Sequence, residues 1–418
     1  MNPHSTFDFQ PLPAAVTQAA SKYVVQAATL FHSRLYLAIL RLPGDAHHSG
    51  KVFILRHRLE ANHWDLVYEY SVESRWVLHE GQPHWFPLEL GCHALTVLPG
   101  SRQPVPVLYA VRLTLQNPGI LRSGDGEHFE EFPNPGATIG HSPPFIGLRS
   151  FSGKTFAIPA ALQRRTVTGA LLYVTDDPFV KPWTPAGEPG LGHTENATVD
   201  GLLVFADHLY AALGNSSNGF QLWKTIARDQ PPFAWNPVLT EGAQRYTLNS
   251  HITSIAVFKG ALYLGAGASP MIDASGDAPV GAEIIRVLPD DRWELVMGTP
   301  RFSPVGLQIP LSTHGPGFGD PHHQRIARLV GTPDTLYAAI DQGEDPPSAD
   351  SAPTAPHFQL WKTRDGEDWQ MIPPNTFGQP GVTRLRVLQP TPHGLVVAGD
   401  WDLTRDPEAQ PGIWLEKR

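Results

Sequence analysis

One pattern recurs seven times along this chain and constrains its fold more than any other feature. An apolar stretch leads into a small-residue turn and a Leu-Tyr-x-Ala strand. After a variable loop comes a strand ending Leu-Trp-Lys-Thr, then a tight turn and an aromatic residue. The clearest copies are Leu209-Tyr210-Ala211 with Leu222-Trp223-Lys224-Thr225 and Trp235, and Leu336-Tyr337-Ala338 with Leu360-Trp361-Lys362-Thr363 and Trp369. Weaker copies are anchored on Tyr36 with Trp64, Tyr109 with Phe129, Phe156 with Trp183, and Tyr263 with Trp293. Such self-similarity means that each copy is one supersecondary unit that buries its faces against its neighbours. The aromatic ending each copy then fills space between units. With 42 Pro, 38 Gly and only 17% charged residues, the chain reads as short strands joined by turns.

The last copy has Val396-Val397-Ala398 and Ile413-Trp414-Leu415, and lacks an outermost strand. Phe7-Asp8-Phe9 has the alternation to supply it. The expected fold is therefore all-β, a seven-bladed β-propeller closed by pairing of its N- and C-terminal strands, with residues 1–418 as one domain.

The turns Ser123-Gly124-Asp125-Gly126 before Phe129 and Thr363-Arg364-Asp365-Gly366 before Trp369 resemble the Asp-box turns of sialidase-like propellers. Asp bonds its own backbone there and Gly accepts positive φ. Gly317-Phe318-Gly319-Asp320 through Arg328, and Phe358 to Trp369, resemble the repeat of a bacterial and cyanobacterial propeller family. That repeat is similar to the propeller half of cylindrocyclophane-type alkyl-chloride cyclases, which also carry a calcium-binding N-terminal domain. The resemblance implies a fold, and an echo of cyclisation chemistry in specialised metabolism.

A net charge of -9 argues against a nucleic-acid partner, because phosphate binding needs a basic surface. No apolar run is long enough to span a bilayer, and Met1 to Pro11 lacks a basic segment followed by an apolar one, so no membrane or secretory signal is read. The single cysteine, Cys92, sits at an apolar inner-strand position, and the expected location is cytoplasmic.

Aligning the inner strands on their Leu-Tyr partners sets Ala27, Ala94, Gly147, Gly201, Ser254, Arg328 and Arg384 at one axial position. Two residues further come Thr29, Thr96, Arg149, Leu203, Ala256, Val330 and Arg386. The alternating positions, such as Leu95, Leu148, Leu202, Ile255, Leu329 and Leu385, belong between blades. Arginines beside one another in a confined space call for an anion. Arg328 and Arg384 with Arg149, Asp200, Asn196 and Asn249 are thus the candidate substrate-binding set. Asp320, His322, His323 and His251 are the candidate proton-transfer groups, since His titrates near neutral pH. The alternative for the arginines is structural pairing with Asp200 or Asp320. No metal site or cofactor is expected. Asp273-x-Ser275-x-Asp277 with Glu283 only faintly matches a calcium loop, and the histidines do not repeat as a metal-binding ring would.

The longest connections, Tyr68 to Leu90, Gly298 to Gln324, Arg41 to Gly50, Ser269 to Ala282 and Gln342 to His357, fall on one face, which is expected to carry the site. The expected function is an enzyme that binds a small, partly apolar organic anion at the axial mouth and catalyses proton-transfer-assisted bond formation or cyclisation. The alternative is a non-catalytic propeller serving as an interaction or ligand-binding platform.

Overall fold

The computed structural model describes residues 7–17, 22–42, 50–61, 63–72, 74–79, 82–87, 89–99, 105–114, 119–133, 144–160, 169–178, 181–267, 280–343, 358–377, 381–404 and 406–417. The chain is all-β and made of propeller blades. Among the described residues there are five four-stranded antiparallel sheets and one eight-stranded sheet, in which two four-stranded sets are joined where Lys22 and Tyr23 pair with Asp402 and Trp401. Taking those two sets separately, the inner strands are Lys22–Phe31, Glu89–Pro99, Phe145–Phe151, Thr198–Phe205, His251–Phe258, Arg325–Gly331 and Val382–Thr391. We number the blades 1 to 7 in that order. In blade 7 the strands Val382–Thr391, Gly394–Asp402 and Gly412–Glu416 are completed by Phe7–Pro11, which pairs antiparallel with the last strand, Phe9 opposite Trp414. The terminal strands therefore close a blade as the alternation around Phe7 anticipated.

The chain divides into two compact units. Residues 1–160, 174–184 and 377–418 carry blades 7, 1, 2 and 3, whose inner strands lie side by side in that order. Residues 161–173 and 185–376 carry blades 4, 5 and 6, likewise adjacent. Leu95, Leu148, Leu202, Leu329 and Leu385 are buried between sheets, as the alternation requires.

The repeat explains itself at the outer edge of each blade. In blade 1 the Arg56 guanidinium reaches Asp65 of its own outermost strand at 2.8 Å and Glu127 of the blade 2 turn at 2.6 Å. Arg286 of blade 5 likewise holds Glu294 at 2.7 Å and Glu367 of the blade 6 turn at 3.1 Å. Lys224 of blade 4 reaches Asp291 of blade 5 at 2.7 Å. The cation in the third strand of these three blades is thus an inter-blade clamp. The following turn is shaped to receive it: Asp365 Oδ1 accepts the backbone N–H groups of Glu367 and Asp368, both at 2.8 Å. Gly366 sits at φ +89°, and a Cβ there would collide with the Tyr263 hydroxyl of the preceding blade. Gly126 repeats this arrangement against Tyr36 at φ +77°. The glycine is needed for the close approach as much as for the turn.

Candidate functional site

Every inner strand carries a β-bulge one residue before the aligned axial position. The bulged residues are Gln26, His93, Ile146, Asp200, Thr253, Ala327 and Thr383. A bulge re-aims its side chain and leaves it outside the ladder. Here it stitches to the next blade. The Gln26 Oε1 accepts the Cys92 N–H at 2.8 Å, Asp200 Oδ2 accepts the Ile252 N–H at 3.1 Å, and Thr253 Oγ1 donates to the Ile326 carbonyl at 2.9 Å. Asp200 therefore has a structural task that its repeat position dictates, beside any role toward a ligand.

Asp200 also faces His251, whose Nδ1 lies 3.1 Å from Oδ2, and Thr198 donates to Oδ1 at 2.6 Å. This is the partly buried Asp–His pair of the blade 4–6 unit. Burial alone would lower the His251 pKa; the hydrogen bond and charge of Asp200 outweigh it, and the net direction is up. A histidine with a raised folded pKa stabilises the protein below its unfolded pKa of about 6.5 and loses that contribution as pH rises through the folded value. His251→Gln should therefore lower the melting temperature more at pH 5.5 than at pH 8.5. Equal losses at both would show that the imidazolium contributes nothing.

The sequence paired Asp320 with His322 or His323, and the structure brings all three together. Asp320 Oδ1 lies 3.0 Å from His322 Nδ1, on an exposed loop, and Oδ2 is 3.7 Å from His323 Nδ1. Burial would raise the Asp320 pKa, but the His322 N–H and both histidines pull it below the ordinary carboxylate value. His323 is buried and belongs to a different design. Its carbonyl accepts the Ala282 N–H at 2.8 Å, while the Ala282 carbonyl accepts the Gly317 N–H at 2.8 Å. Asn249 and Phe220 with Gly242, and Asn196 and Ala170 with Gly190, repeat the same stitch. Asn196 donates to Gly190 O and Gln221 Oε1, both at 2.9 Å, and Asn249 donates to Glu283 Oε2 at 2.8 Å. Both asparagines are fully buried with their amides used. Their expected substrate-binding role is corrected: they pin the inter-blade loops. A glycine followed six or seven residues later by Asn or His was the available signal.

Arg328 and Arg384, aligned on neighbouring blades, fall in different compact units. Arg328 is exposed, and its Nη1 donates to the Ala327 carbonyl at 3.1 Å. Arg384 acts electrostatically on Asp400, opposite it in the ladder. A second bulge at Arg386 turns that guanidinium onto the same carboxylate at 2.6 Å. Burial raises the Asp400 pKa, opposed by the two arginines. Arg149 differs from both. Its Nε is buried without a hydrogen-bond partner, and burial alone pushes its pKa down, with no acidic group opposing. His93, solvent-reachable on blade 2, has its pKa lowered by desolvation and by Arg386, against a hydrogen bond to Leu90 O at 3.1 Å. Among the described residues, Arg384 and Arg386 of blade 7 thus act together on Asp400, while Arg149 of blade 3 feels burial alone.

Among the described residues no three of His, Cys, Asp and Glu are grouped to hold a metal ion. Asp273, Ser275 and Asp277 lie outside the described residues, as do most of the Arg41–Gly50, Ser269–Ala282 and Gln342–His357 connections. Glu283 is fully buried, with Asn249, Thr299, Arg245 and Arg301 on its carboxylate. The Gly298–Gln324 connection, expected to fold toward the axis, runs in part along the outermost strand of blade 5: the Leu311 and Ser312 N–H groups donate to Leu295 and Val296 carbonyls, both at 2.9 Å. An uncovered strand edge is what this segment answers. No helix among the described residues is long and apolar enough to cross a membrane.

No protein-family model matches the sequence, and no curated protein matches it. Among solved structures the chain is similar to an α-L-arabinanase from Penicillium chrysogenum complexed with arabinobiose, at 11% identity and a TM-score of 0.40 over 99% of this chain and 98% of that one. It is also similar to the β-propeller domain of Myceliophteria thermophila Cps50 (Swd1), at 12% identity and a TM-score of 0.43 over 98% and 99%.

Proposed function

We propose that the inner strands of blades 7, 1, 2 and 3 bind a small, partly apolar organic anion in a cytoplasmic enzyme of specialised metabolism. The observation that carries the reading is Arg149: its Nε is buried and, among the described residues, has no hydrogen-bond partner, and a desolvated guanidinium is unfavourable unless an acceptor completes it. Arg384 and Arg386, sharing Asp400, add to the positive balance. The resemblance to the propeller half of alkyl-chloride cyclases supports a cyclisation or related step, and no metal or cofactor is invoked.

The test is Arg149→Met. Without ligand it should melt higher than the parent protein, because an uncompensated charge is removed. Carboxylates that raise the parent's melting temperature should not raise the variant's, and binding should weaken about ten- to hundredfold, as loss of a charge-assisted contact implies. Arg149→Lys should recover only part of it. A variant that melts lower and still responds to the same anions would remove the reading.

A further inference from the structure

The blade 4–6 unit carries an apolar surface that no part of the proposed anion chemistry uses. Arg301–Ser303 and Gly306–Gln308 form a two-stranded hairpin standing apart from the blades. One side of it is polar and anchored. Arg301 donates to the Ala243 carbonyl at 2.7 Å and to Glu283 at 3.0 Å. The other side is apolar and uncovered: Phe302 is 78% exposed, Val305 75%, Leu307 52% and Ile309 61%. Phe302 and Leu307 face each other across the ladder. The anchor at Ala243 sets the hairpin beside the next connection, which adds exposed Tyr246 and Leu248. These side chains are a large share of all the exposed large hydrophobics among the described residues.

We infer that this surface is a homodimer interface, the partner being a second copy of this chain. Two arguments favour a copy. The first is exposure: Phe302 and Val305 are 78% and 75% exposed, with Leu307 and Ile309 beside them, and a cluster of large apolar side chains left to solvent marks an association site. The second is charge. From Phe302 through Gly319 there is no Asp, Glu, Lys or Arg, in a protein of net charge -9. Two acidic copies can meet here without juxtaposing like charges, and depletion of charge around an aromatic centre is how interface cores are composed. A lipid surface fits less well, since no basic residue in that stretch would draw the hairpin to anionic headgroups. Among the described residues neither strand of the hairpin pairs with another strand outside it, and a twofold axis can pair such strands edge to edge.

The experiment is sedimentation equilibrium of the full chain across a wide concentration range, at low and high salt, with and without zwitterionic phosphatidylcholine vesicles. The parent protein should be a concentration-dependent dimer, tighter at high salt because screening relieves repulsion between the acidic bodies. Phe302→Asp with Val305→Asp should weaken dimerisation at least about tenfold, as expected of interface hot spots. The protein should fold normally, since both side chains are solvated. Met371→Asp, at an exposed position on blade 6, should leave the dimer intact. A parent protein monomeric at every concentration would overturn the inference, as would a double variant that dimerises unchanged. Flotation of monomeric parent protein with the vesicles, abolished by the double variant, would overturn it in favour of a lipid surface.

Discussion

Deleting residues 1–11 should lower the melting temperature by about 5–10 °C, because a loss of several kcal/mol moves the midpoint of a domain this size by that order. The segment is the fourth strand of blade 7, in register from Phe7 opposite Glu416 to Pro11 opposite Gly412. Its loss removes Phe9 from Trp414, 5.5 Å between ring centroids, and Phe7 from Phe377, 5.1 Å. Both phenylalanines are half-buried rather than buried, so each contributes less than the roughly 3–5 kcal/mol of a core phenylalanine. The larger consequence is the strand left behind. Gly412–Glu416 would present an unpaired edge beside Trp414, and such edges template association between chains. Phe9→Ala should reproduce part of the melting loss without the aggregation, and Asp8→Ala, at an exposed position, should do neither. A truncated protein that melts like the full chain and stays monodisperse would show that blade 7 does not need its exchanged strand.

That closure was legible because strand alternation survives in a short segment such as Phe7-Asp8-Phe9, and because the repeat counts its own copies. The buried inter-blade leucines were legible for the same reason. The bulges were not. Their residues, from Gln26 to Ala327, share no chemistry, since a bulge is a backbone event that any of these side chains tolerates. Asp200 therefore looked like a binding residue and proves to be a stitch to Ile252 as well. Arg386 looked axial, yet a second bulge delivers it to Asp400. Asn196 and Asn249 looked polar and convergent, and are consumed holding glycine loops. Arg149 was legible as a residue type; that its Nε is buried without a hydrogen-bond partner among the described residues was not, because that is a property of packing alone.

The other large effect lies at Glu283. Glu283→Ala should destabilise the protein by about 3–5 kcal/mol, the usual loss when one member of a buried charge network is removed. The carboxylate is fully buried at the start of the third strand of blade 5. Oε1 accepts from the Thr299 N–H at 2.8 Å and Arg301 Nη1 at 3.0 Å, with Arg245 Nε at 3.4 Å; Oε2 accepts from Asn249 at 2.8 Å. Arg301 Nη2 lies 2.9 Å from Oε2 without hydrogen-bond alignment, so it adds charge rather than a bond. The alanine variant leaves two nearly buried guanidiniums facing each other with nothing between them. Glu283→Gln keeps shape and some acceptors but not the charge, so its loss should fall between. The network also anchors the hairpin through Arg301, and the two losses should not add: Glu283→Ala with Arg301→Ala should be less destabilised than the sum of the single variants. Strict additivity in that cycle, measured by denaturant unfolding, would mean that Glu283 and Arg301 stabilise the protein independently and that the carboxylate is not their shared counter-ion.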